Sequence, residues 1–411
     1  MRRDLIATIL GMLLPMLLAM PAVAQAPGGE GAAWSAAELA SLKRWIDAAP
    51  DDALPRLPTV ALDRAIASGE PQRIDAEATA LALSLARMHL LGRAAPSEKA
   101  GWRIVDPDRE VELAPMLDNA LAGGTIDTFF ALQRPAHEDY SALRMALART
   151  SDPDRRLAIA RNMERWRWMP RSLGSEYVLV NIPRFEARLW RGGEPYDRWR
   201  VIVGKRSTPT PAFATRIEGV VLNPWWEIPA SIVRESVGAL VRRNPALARQ
   251  RGYVWSGGRY RQRPGPGNAL GQMKLVMPNP FSIYMHDTPS KALFDEEVRA
   301  FSHGCIRTDD AIGYAATLLE GVATREEVDP IVASGKTTTL PLDRPIPLYI
   351  AYFTAFGDGE GGVEIAPDIY GRDRAIKVAF GPDTRPAGSA DPARPARLAA
   401  GSACAGTGAF R

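Results

Sequence analysis

One cysteine, two histidines and a glycine have the residue types and the spacing that nucleophilic chemistry requires. Cys305 directly follows His303 and Gly304, and His286 lies upstream in a strand-like segment. A thiol attacks a carbonyl as the thiolate, and its ordinary pKa of about 8.5 calls for a basic neighbour at neutral pH. The pattern indicates a cysteine nucleophile with a histidine base. The same residues would also fit a buried structural cysteine with chance neighbours.

The residues around the cysteine suggest how its reactivity would be set. Helical spacing follows it at Ile312, Ala315 and Leu319. This predicts that Cys305 lies at the front of a helix, where the positive end of the dipole would lower the thiol pKa. Gly304 can adopt backbone conformations that are closed to other residues. Amide N–H groups near the cysteine would then form an oxyanion hole.

The segment that carries the upstream histidine reads as a strand. Alternation places Tyr284 and His286 on one face and Ile283 and Met285 on the other. The two apolar residues suit a core, so we expect the tyrosine and the histidine to face a cleft. His303 is also near the cysteine, two residues away along the chain. Geometry alone leaves open which of the two histidines is the base.

Helical signals dominate the chain from residue 34 to about residue 170. Ser35 and Glu38 form a capping box, and Asp152 with Pro153 is typical of a helix start. His89 and His137 fall in this region without a surrounding partner motif, so we interpret them as surface or packing histidines. Further helices are predicted at 75–91, 118–121 and 141–147, and the helix that begins at Asp152 is expected to run to about Trp168.

The hydrophobic period changes from 3.6 to 2 near residue 175, which predicts a β-rich domain. The turn at 192–193 joins two alternating segments into a hairpin. A helical segment at 231–251 interrupts the strand pattern. Strands are predicted at 185–189, 199–203, 282–286 and 347–353.

Composition excludes several classes of protein. The 411 residues carry 51 Lys and Arg against 47 Asp and Glu, a net charge of +4, without a long basic block. Nucleic-acid binding would require a concentrated basic patch, so we predict none. The two cysteines and four histidines form no ligand-spaced cluster, so we expect neither a metal nor another cofactor.

The two cysteines would form a disulfide by default in an oxidising compartment. Cys404 lies in a Gly- and Ala-rich tail that looks unstructured, whereas Cys305 lies in a tight motif. A bond between them would remove the nucleophile. We therefore interpret Cys305 as a free thiol and Cys404 as incidental.

The N-terminus has the features of an export signal. Arg2 and Arg3 precede an apolar run at 5–20, and the small residues at 22–24 match a cleavage site. The run is shorter than the roughly 20 residues that span a bilayer. The sequence predicts cleavage before Gln25 and a periplasmic mature protein.

Together, two segments of this sequence resemble the L,D-transpeptidases. These are His286-Asp-Thr-Pro and Ser302-His303-Gly304-Cys305-Ile-Arg307. The chain is similar to the larger Gram-negative subgroup, which has an N-terminal helical scaffold domain before a YkuD-type catalytic domain. The segments at 223–229, 265–271 and 368–371 extend the resemblance, which covers roughly residues 35–375.

The resemblance implies an α+β fold: a mostly helical N-terminal domain, then a β-rich, β-sandwich-like catalytic domain with a helical capping insert. No peptidoglycan-binding module of the kind found in many relatives fits between Leu147 and Asp152, so wall targeting is expected to rely on other surfaces. The predicted boundaries are a signal peptide at 1–24, the scaffold at 34–170, the catalytic domain at 175–355 with its insert at about 229–270, a C-terminal extension at 356–380 and a disordered tail at 381–411.

The resemblance also implies roles for the site residues. Cys305 would be the nucleophile of an acyl-enzyme and His286 its general base. His303 would be the third catalytic residue. Residues around the oxyanion and the substrate would be Ser302, Gly304, Tyr284 and Arg307.

The activity implied is peptidoglycan cross-linking, a step in cell-wall biogenesis and in the maintenance of cell shape. Tetrapeptide stems would be donor and acceptor, a diaminopimelate-type side chain would form the 3→3 cross-link, and carbapenems would acylate the cysteine of a monomeric enzyme. Three alternatives stay open: a hydrolase of the same fold that cuts cross-links or stems, a transpeptidase that anchors a protein to the wall, and a non-catalytic wall-binding scaffold. The intact histidine and cysteine argue against the last.

Overall fold

The computed structural model describes residues 33–99 and 101–378. The predicted signal peptide at 1–24, Cys404 and the predicted tail at 381–411 lie outside these residues. Within the described part of the chain, no helix is both long and apolar enough to cross a membrane.

The first part of the described chain is helical, as the sequence predicts. The capping box forms: the Glu38 amide donates to Ser35 Oγ over 3.3 Å, and the Ser35 amide donates to the Glu38 carboxylate over 2.8 Å. Asp152 caps its helix by accepting from the Arg155 amide at 2.9 Å. The helices are α1 (Ala36–Ala48), α2 (Val60–Ser68), α3 (Pro71–Leu91), α4 (Leu113–Ala122), α5 (Ile126–Gln133), α6 (Glu138–Arg149) and α7 (Pro153–Trp166).

The second part is built on β-strands, and its hairpin turns at residues 192–193 as predicted. The strand predicted at 282–286 is formed only at its last two residues. In chain order the strands are β1 (Trp102–Arg103), β2 (Glu176–Asn181), β3 (Glu186–Arg191), β4 (Glu194–Gly204), β5 (Ala212–Leu222), β6 (Trp226–Glu227), β7 (Tyr253–Ser256), β8 (Arg259–Gln262), β9 (Met273–Val276), β10 (Met285–His286), β11 (Ala300–Ser302), β12 (Ile306–Thr308), β13 (Thr338–Ala351), β14 (Ala355–Gly357) and β15 (Val363–Ile365).

Eight of these strands close into a barrel. Their order is β5-β13-β2-β3-β4-β12-β10-β9, and β9 pairs antiparallel with β5 to complete the ring. This corrects the expectation of a sandwich-like domain. Closure depends on pairing between strands far apart in the sequence, which no local pattern reports. It also leaves these strands without exposed edges.

The barrel encloses the larger apolar core. Helix α11 (Ala311–Leu318) contributes to it, with Tyr314 packed on Trp199 at 4.2 Å between ring centroids. Helix α12 (Arg325–Ala333) adds the buried Val328. Barrel residues of this core include Val178, Val180, Leu189, Val201, Val220, Leu275, Met285, Ile306, Leu348 and Ile350.

The capping insert is only partly helical, which corrects the sequence-based expectation. Its helices are α8 (Ala230–Ile232), α9 (Gly238–Arg243) and α10 (Pro245–Gln250), with a π-helical turn at Val233–Val237. Strands β6, β8 and β7 then form a separate three-stranded sheet. The hairpin between β7 and β8 escaped prediction because Trp255 is exposed and the strands lack a clean polar alternation.

A second hydrophobic core lies where the helical part packs against the barrel. Helices α6 and α7 pack on the outside of β2, β3 and β13. Strand β1, which belongs to the helical part of the chain, pairs parallel with β5 and places Trp102 opposite Ala212. This shared core contains Tyr140, Leu143, Met163, Trp166, Tyr177, Trp190 and Phe353.

Candidate active site

Strand pairing brings the predicted nucleophile and base together. β10 and β12 run parallel, with Met285 opposite Ile306 and His286 opposite Arg307. The Ile306 amide donates to the Tyr284 carbonyl over 2.8 Å. Cys305 immediately precedes β12, so it lies beside the strand that carries His286.

The side chains of Cys305 and His286 line one cleft of about 380 Å³. The insert supplies part of its wall through Pro229, Ser231 and Ile232. A space of this size is within the range of small-molecule sites. The predicted site residues that line it are Tyr284, His286, Ser302, His303, Cys305 and Arg307.

Gly304, the remaining predicted site residue, does not line the cleft but sets the backbone turn that precedes Cys305. Its φ is +112°, the unusual backbone conformation that the sequence predicts at this position. Its amide donates to Ser302 Oγ over 3.0 Å, so this N–H is already engaged. Ser302 Oγ in turn donates to the Cys305 carbonyl over 2.5 Å.

A second glycine allows this turn to lie against β4. A Cβ on Gly204 would lie 3.0 Å from the Gly304 Cα and even closer to the Thr208 carbonyl oxygen. Thr210 ties the two glycines together: its Oγ1 accepts from the Gly204 amide at 2.9 Å and donates to the Gly304 carbonyl at 2.8 Å. Tyr370 donates to the Gly204 carbonyl over 2.6 Å, which braces the same point from the C-terminal extension.

Replacing Thr210 with valine is expected to loosen this turn. The buried Gly204 amide and Gly304 carbonyl would each lose a partner, at a cost of about 1–3 kcal/mol in unfolding free energy. Chemical denaturation measures the loss. Thr339→Val, on an exposed position of β13, is the matched control and is expected to stay within about 0.5 kcal/mol of the parent. Equal stabilities for the two variants would contradict the bracing role.

His286 is buried and held in one orientation. Its Nδ1 contacts the Asp287 carbonyl at 2.5 Å. A carbonyl accepts hydrogen bonds only, so Nδ1 carries the proton and Nε2 has its lone pair free. Burial lowers the pKa of His286 to about 4, and the charge of Arg307 acts in the same direction. The imidazole is therefore neutral, as a general base must be.

Asp287, whose carbonyl orients His286, is itself held by hydrogen bonds from its backbone and side chain. Its amide donates to the Met273 carbonyl over 2.8 Å. Its carboxylate accepts from the Gln272 amide at 2.8 Å and from Lys291 Nζ at 2.5 Å. The base is thus oriented by a backbone carbonyl that several contacts position.

The thiol does not have the lowered pKa that the sequence predicts. Cys305 is followed by strand β12, and helix α11 begins only at Ala311, so the dipole argument is wrong. Burial raises the pKa of the Cys305 thiol above its ordinary value. A backbone hydrogen bond from Tyr284 and the charges of Lys274 and Arg307 oppose this rise. Thiol and imidazole therefore line the same cleft, both in their neutral forms.

Lys274 is a site residue that the sequence reasoning missed. It lies opposite His286 in the pairing of β9 with β10, and its Nζ is 3.8 Å from the ring centroid of Tyr284. Burial lowers the pKa of Lys274, while the Cys305 and Glu227 charges act to raise it. Its signal in the sequence was weak, because a lone lysine in a short strand has no motif.

Replacing Lys274 with methionine is expected to raise the pKa of the Cys305 thiol further. The positive charge that favours the thiolate would be gone. Alkylation by a small neutral reagent should slow several-fold at pH 7, and its midpoint should move to higher pH. Lys336→Met, at an exposed position, is the control. A midpoint shared by both variants would contradict the role of Lys274.

His303 contacts the capping insert rather than the base. Its Nε2 lies 2.9 Å from the carboxylate of Glu235, which belongs to the π-helical turn. Lys205 Nζ lies 3.5 Å from the same nitrogen and 3.9 Å from Glu235. All three side chains are substantially exposed. His303 therefore links the cysteine motif to the wall that covers the cleft.

The described residues contain no group of three or more His, Cys, Asp or Glu side chains placed to hold a metal ion.

Comparison with known proteins agrees with this arrangement. Residues 175–332 match the L,D-transpeptidase catalytic domain family YkuD, and residues 30–147 match the Scaffold domain family. A Haemophilus influenzae protein named "Putative L,D-transpeptidase" is 31% identical over 242 residues, which are 54% of this chain and 49% of that protein. The chain thus spans about half the length of this curated relative.

Solved structures of L,D-transpeptidases are also similar, but only weakly. One from Mycobacterium smegmatis is 12% identical, with a TM-score of 0.26 over 43% of this chain and 58% of its own. L,D-transpeptidase 3 from Mycobacterium tuberculosis is 13% identical, with a TM-score of 0.24 over 43% of this chain and 61% of its own.

The cleft that contains Cys305 lies within the residues that match the catalytic domain family. The two family matches follow one another along the chain, the Scaffold match at residues 30–147 and the L,D-transpeptidase catalytic domain match at 175–332. The finer boundaries at 34–170, 175–355 and 356–380 remain predictions, as does the monomeric state.

Proposed function

We propose that the chain is a peptidoglycan L,D-transpeptidase that forms 3→3 cross-links through an acyl-enzyme on Cys305. The observation that carries this proposal is that His286 and Cys305, both neutral, line one cleft. The Asp287 carbonyl holds Nδ1 of the histidine at 2.5 Å, so Nε2 is available to the thiol.

The first acyl transfer removes the terminal D-alanine of a donor stem. As the Cys305 sulfur attacks the carbonyl of the third residue, its proton passes to Nε2 of His286. The tetrahedral intermediate collapses, the carbon–nitrogen bond breaks, and the imidazolium returns the proton to the departing amine. A thioester between the tripeptide and Cys305 remains.

The second transfer regenerates the enzyme. The side-chain amine of a second stem attacks the thioester, and His286 takes the proton that the amine loses. The carbon–sulfur bond breaks, and the sulfur recovers its proton from the imidazolium. The resemblance to the family supplies the diaminopimelate-type amine as this acceptor.

Charges around the cleft suit substrates with carboxylates. Nε of Arg307 is buried without a hydrogen-bond partner among the described residues, and Arg307 lines the cleft. Lys274 lies on the neighbouring strand with its charge toward the same thiol. We propose that Arg307 and Tyr284 orient a stem carboxylate and that His303 positions the insert through Glu235.

Export belongs to the proposal, because the substrate lies outside the cytoplasm. Mass spectrometry of the mature protein from a periplasmic fraction is expected to find Gln25 at its N-terminus. A protein that retains Met1 and stays in the membrane fraction would contradict periplasmic release.

The reaction products test the activity. Purified protein is incubated with disaccharide-tetrapeptide muropeptides, and the products are separated and sequenced by mass spectrometry. We expect dimers linked between third residues, together with free D-alanine. Release of D-alanine with tripeptide monomers alone would show that water is the acceptor and would replace the proposal with a hydrolase.

A further inference from the structure

A second cleft, of about 280 Å³, lies between the helical part and the barrel. The segment before α6 forms one side, with Ala136, His137 and Glu138. Trp166 at the end of α7 and Trp190 on β3 form the rest of its aromatic wall. The cleft shares no lining residue with the one that contains Cys305.

The wall is a column of aromatic rings that ends in the cleft. His137 stacks on Trp166 with 4.2 Å between centroids, and Trp166 stacks on Phe353 at 4.5 Å. Trp190 meets the His137 ring at 4.7 Å, and Tyr177 lies parallel to Trp190 at 5.8 Å. Phe353 and Trp166 are fully buried, whereas His137 is half-buried. The imidazole is therefore the outermost ring of the column.

Three buried N–H donors of the aromatic wall have no hydrogen-bond partner among the described residues: His137 Nε2, Trp166 Nε1 and Trp190 Nε1. Nε of Arg171, which also lines the cleft, is a fourth. His137 Nδ1 accepts from the Asp139 amide at 3.1 Å, and burial lowers the pKa of this histidine to about 3, so the ring is neutral and its proton is on Nε2. Buried polar groups in folded proteins are almost always paired, so this cluster of donors calls for an acceptor.

The chemistry of the wall selects one kind of ligand. An apolar ligand would leave all three donors unpaired. An anion would find Arg171 in the lining, but that guanidinium already donates to the Leu90 carbonyl, and the Glu138 carboxylate stands at the rim, where half of that side chain is exposed. A neutral ring with an apolar face and several oxygen acceptors fits both the aromatic platform and the donors. The glycines at 174 and 193 add no side chains to the lining.

We propose that this junction cleft binds a saccharide ring, an N-acetylhexosamine of a glycan chain. The C–H face of the sugar would pack on His137, and its hydroxyl and acetamide oxygens would accept from the free N–H groups. Glu138 would accept from a sugar hydroxyl. That the glycan is the wall polymer rests on the proposed function, and such a site would hold the strand while the distant cleft acts on its stems.

The test uses the full chain carrying Cys305→Ala, so that failure of the transpeptidase proposal cannot affect it. The probe is the β-1,4-linked tetrasaccharide of N-acetylglucosamine, followed by saturation-transfer difference NMR and tryptophan fluorescence. We expect binding at millimolar sugar, with the strongest NMR contacts on one pyranose face. Absence of binding would overturn the proposal.

Three variants locate the binding. Ala136→Trp, at an exposed position of the rim, should fill the cleft and abolish the signal, whereas Ala131→Trp on α5 should leave it unchanged. His137→Asn keeps a side-chain oxygen to cap α6 but removes the ring, and it should weaken binding several-fold. Equal binding by the two tryptophan variants, with melting temperatures matching the parent, would overturn the assignment.

A sugar-free tetrapeptide stem serves as competitor and should not displace the tetrasaccharide. Displacement would show that the cleft recognises peptide and would overturn the proposal. In the active parent, Ala136→Trp should leave the rate of Cys305 acylation by a small acyl donor unchanged, because the two clefts share no residue.

Discussion

Replacing His286 with alanine is expected to slow acylation of Cys305 by about 10²–10⁴-fold, the usual contribution of a general base. The effect should be large because the thiol does not ionise readily without a base. Burial raises its pKa, so few molecules carry a thiolate at neutral pH. Since the pKa of His286 is about 4, the wild-type rate should not fall with acid until the pH approaches that value. Stopped-flow acylation between pH 4 and pH 8 measures both effects.

His303→Ala is the matched control for this experiment. His303 contacts Glu235 and Lys205, so its loss should disturb the capping insert and substrate binding more than the proton transfer. We expect a higher KM and a much smaller change in the acylation step. A larger loss of acylation in His303→Ala than in His286→Ala would show that the base has been assigned to the wrong histidine.

Replacing Cys305 with serine is expected to abolish covalent labelling by a carbapenem. A strained lactam is an acyl donor that the sulfur can open, with the proton passing to His286 as in the first acyl transfer. A serine hydroxyl is a far weaker nucleophile beside the same base, because its proton is harder to remove. Intact-mass measurement should find one adduct on the wild type and none on the variant.

Cys404→Ser is the companion to this test. We predict unchanged labelling, because Cys404 is interpreted as incidental. An adduct that survives in Cys305→Ser, or that disappears in Cys404→Ser, would contradict the assignment of Cys305 as the nucleophile.

Local signals in the sequence predicted local structure well. The Ser35–Glu38 capping box and the Asp152 cap both form, because each depends on atoms within three residues. The change to a period of 2 marked the start of the barrel strands for the same reason. Barrel closure by β5 and β9 was missed, since two short strands carry no sign of their distant pairing.

In the candidate site, too, the sequence indicated local features and missed contacts between distant segments. The alternation at 283–286 placed Tyr284 and His286 on a cleft, and both line one, but Ile283, which it assigned to the core face, lines the same cleft. The helix after Cys305 was misplaced, because a three-residue strand such as β12 is too short to show a period. Lys274, Thr210 and Glu235 reach the motif through space, from strands and an insert far away in the sequence, so no spacing rule could have found them.

Trapping the acyl-enzyme on a stem peptide tests the proposed mechanism. Wild-type protein is mixed with a disaccharide-tetrapeptide, quenched in acid to preserve thioesters, digested and mapped by tandem mass spectrometry. We expect a tripeptide acyl group on the peptide that contains Cys305, accompanied by an equal amount of free D-alanine. Release of D-alanine with an unmodified Cys305, or an acyl group on any other residue, would contradict it.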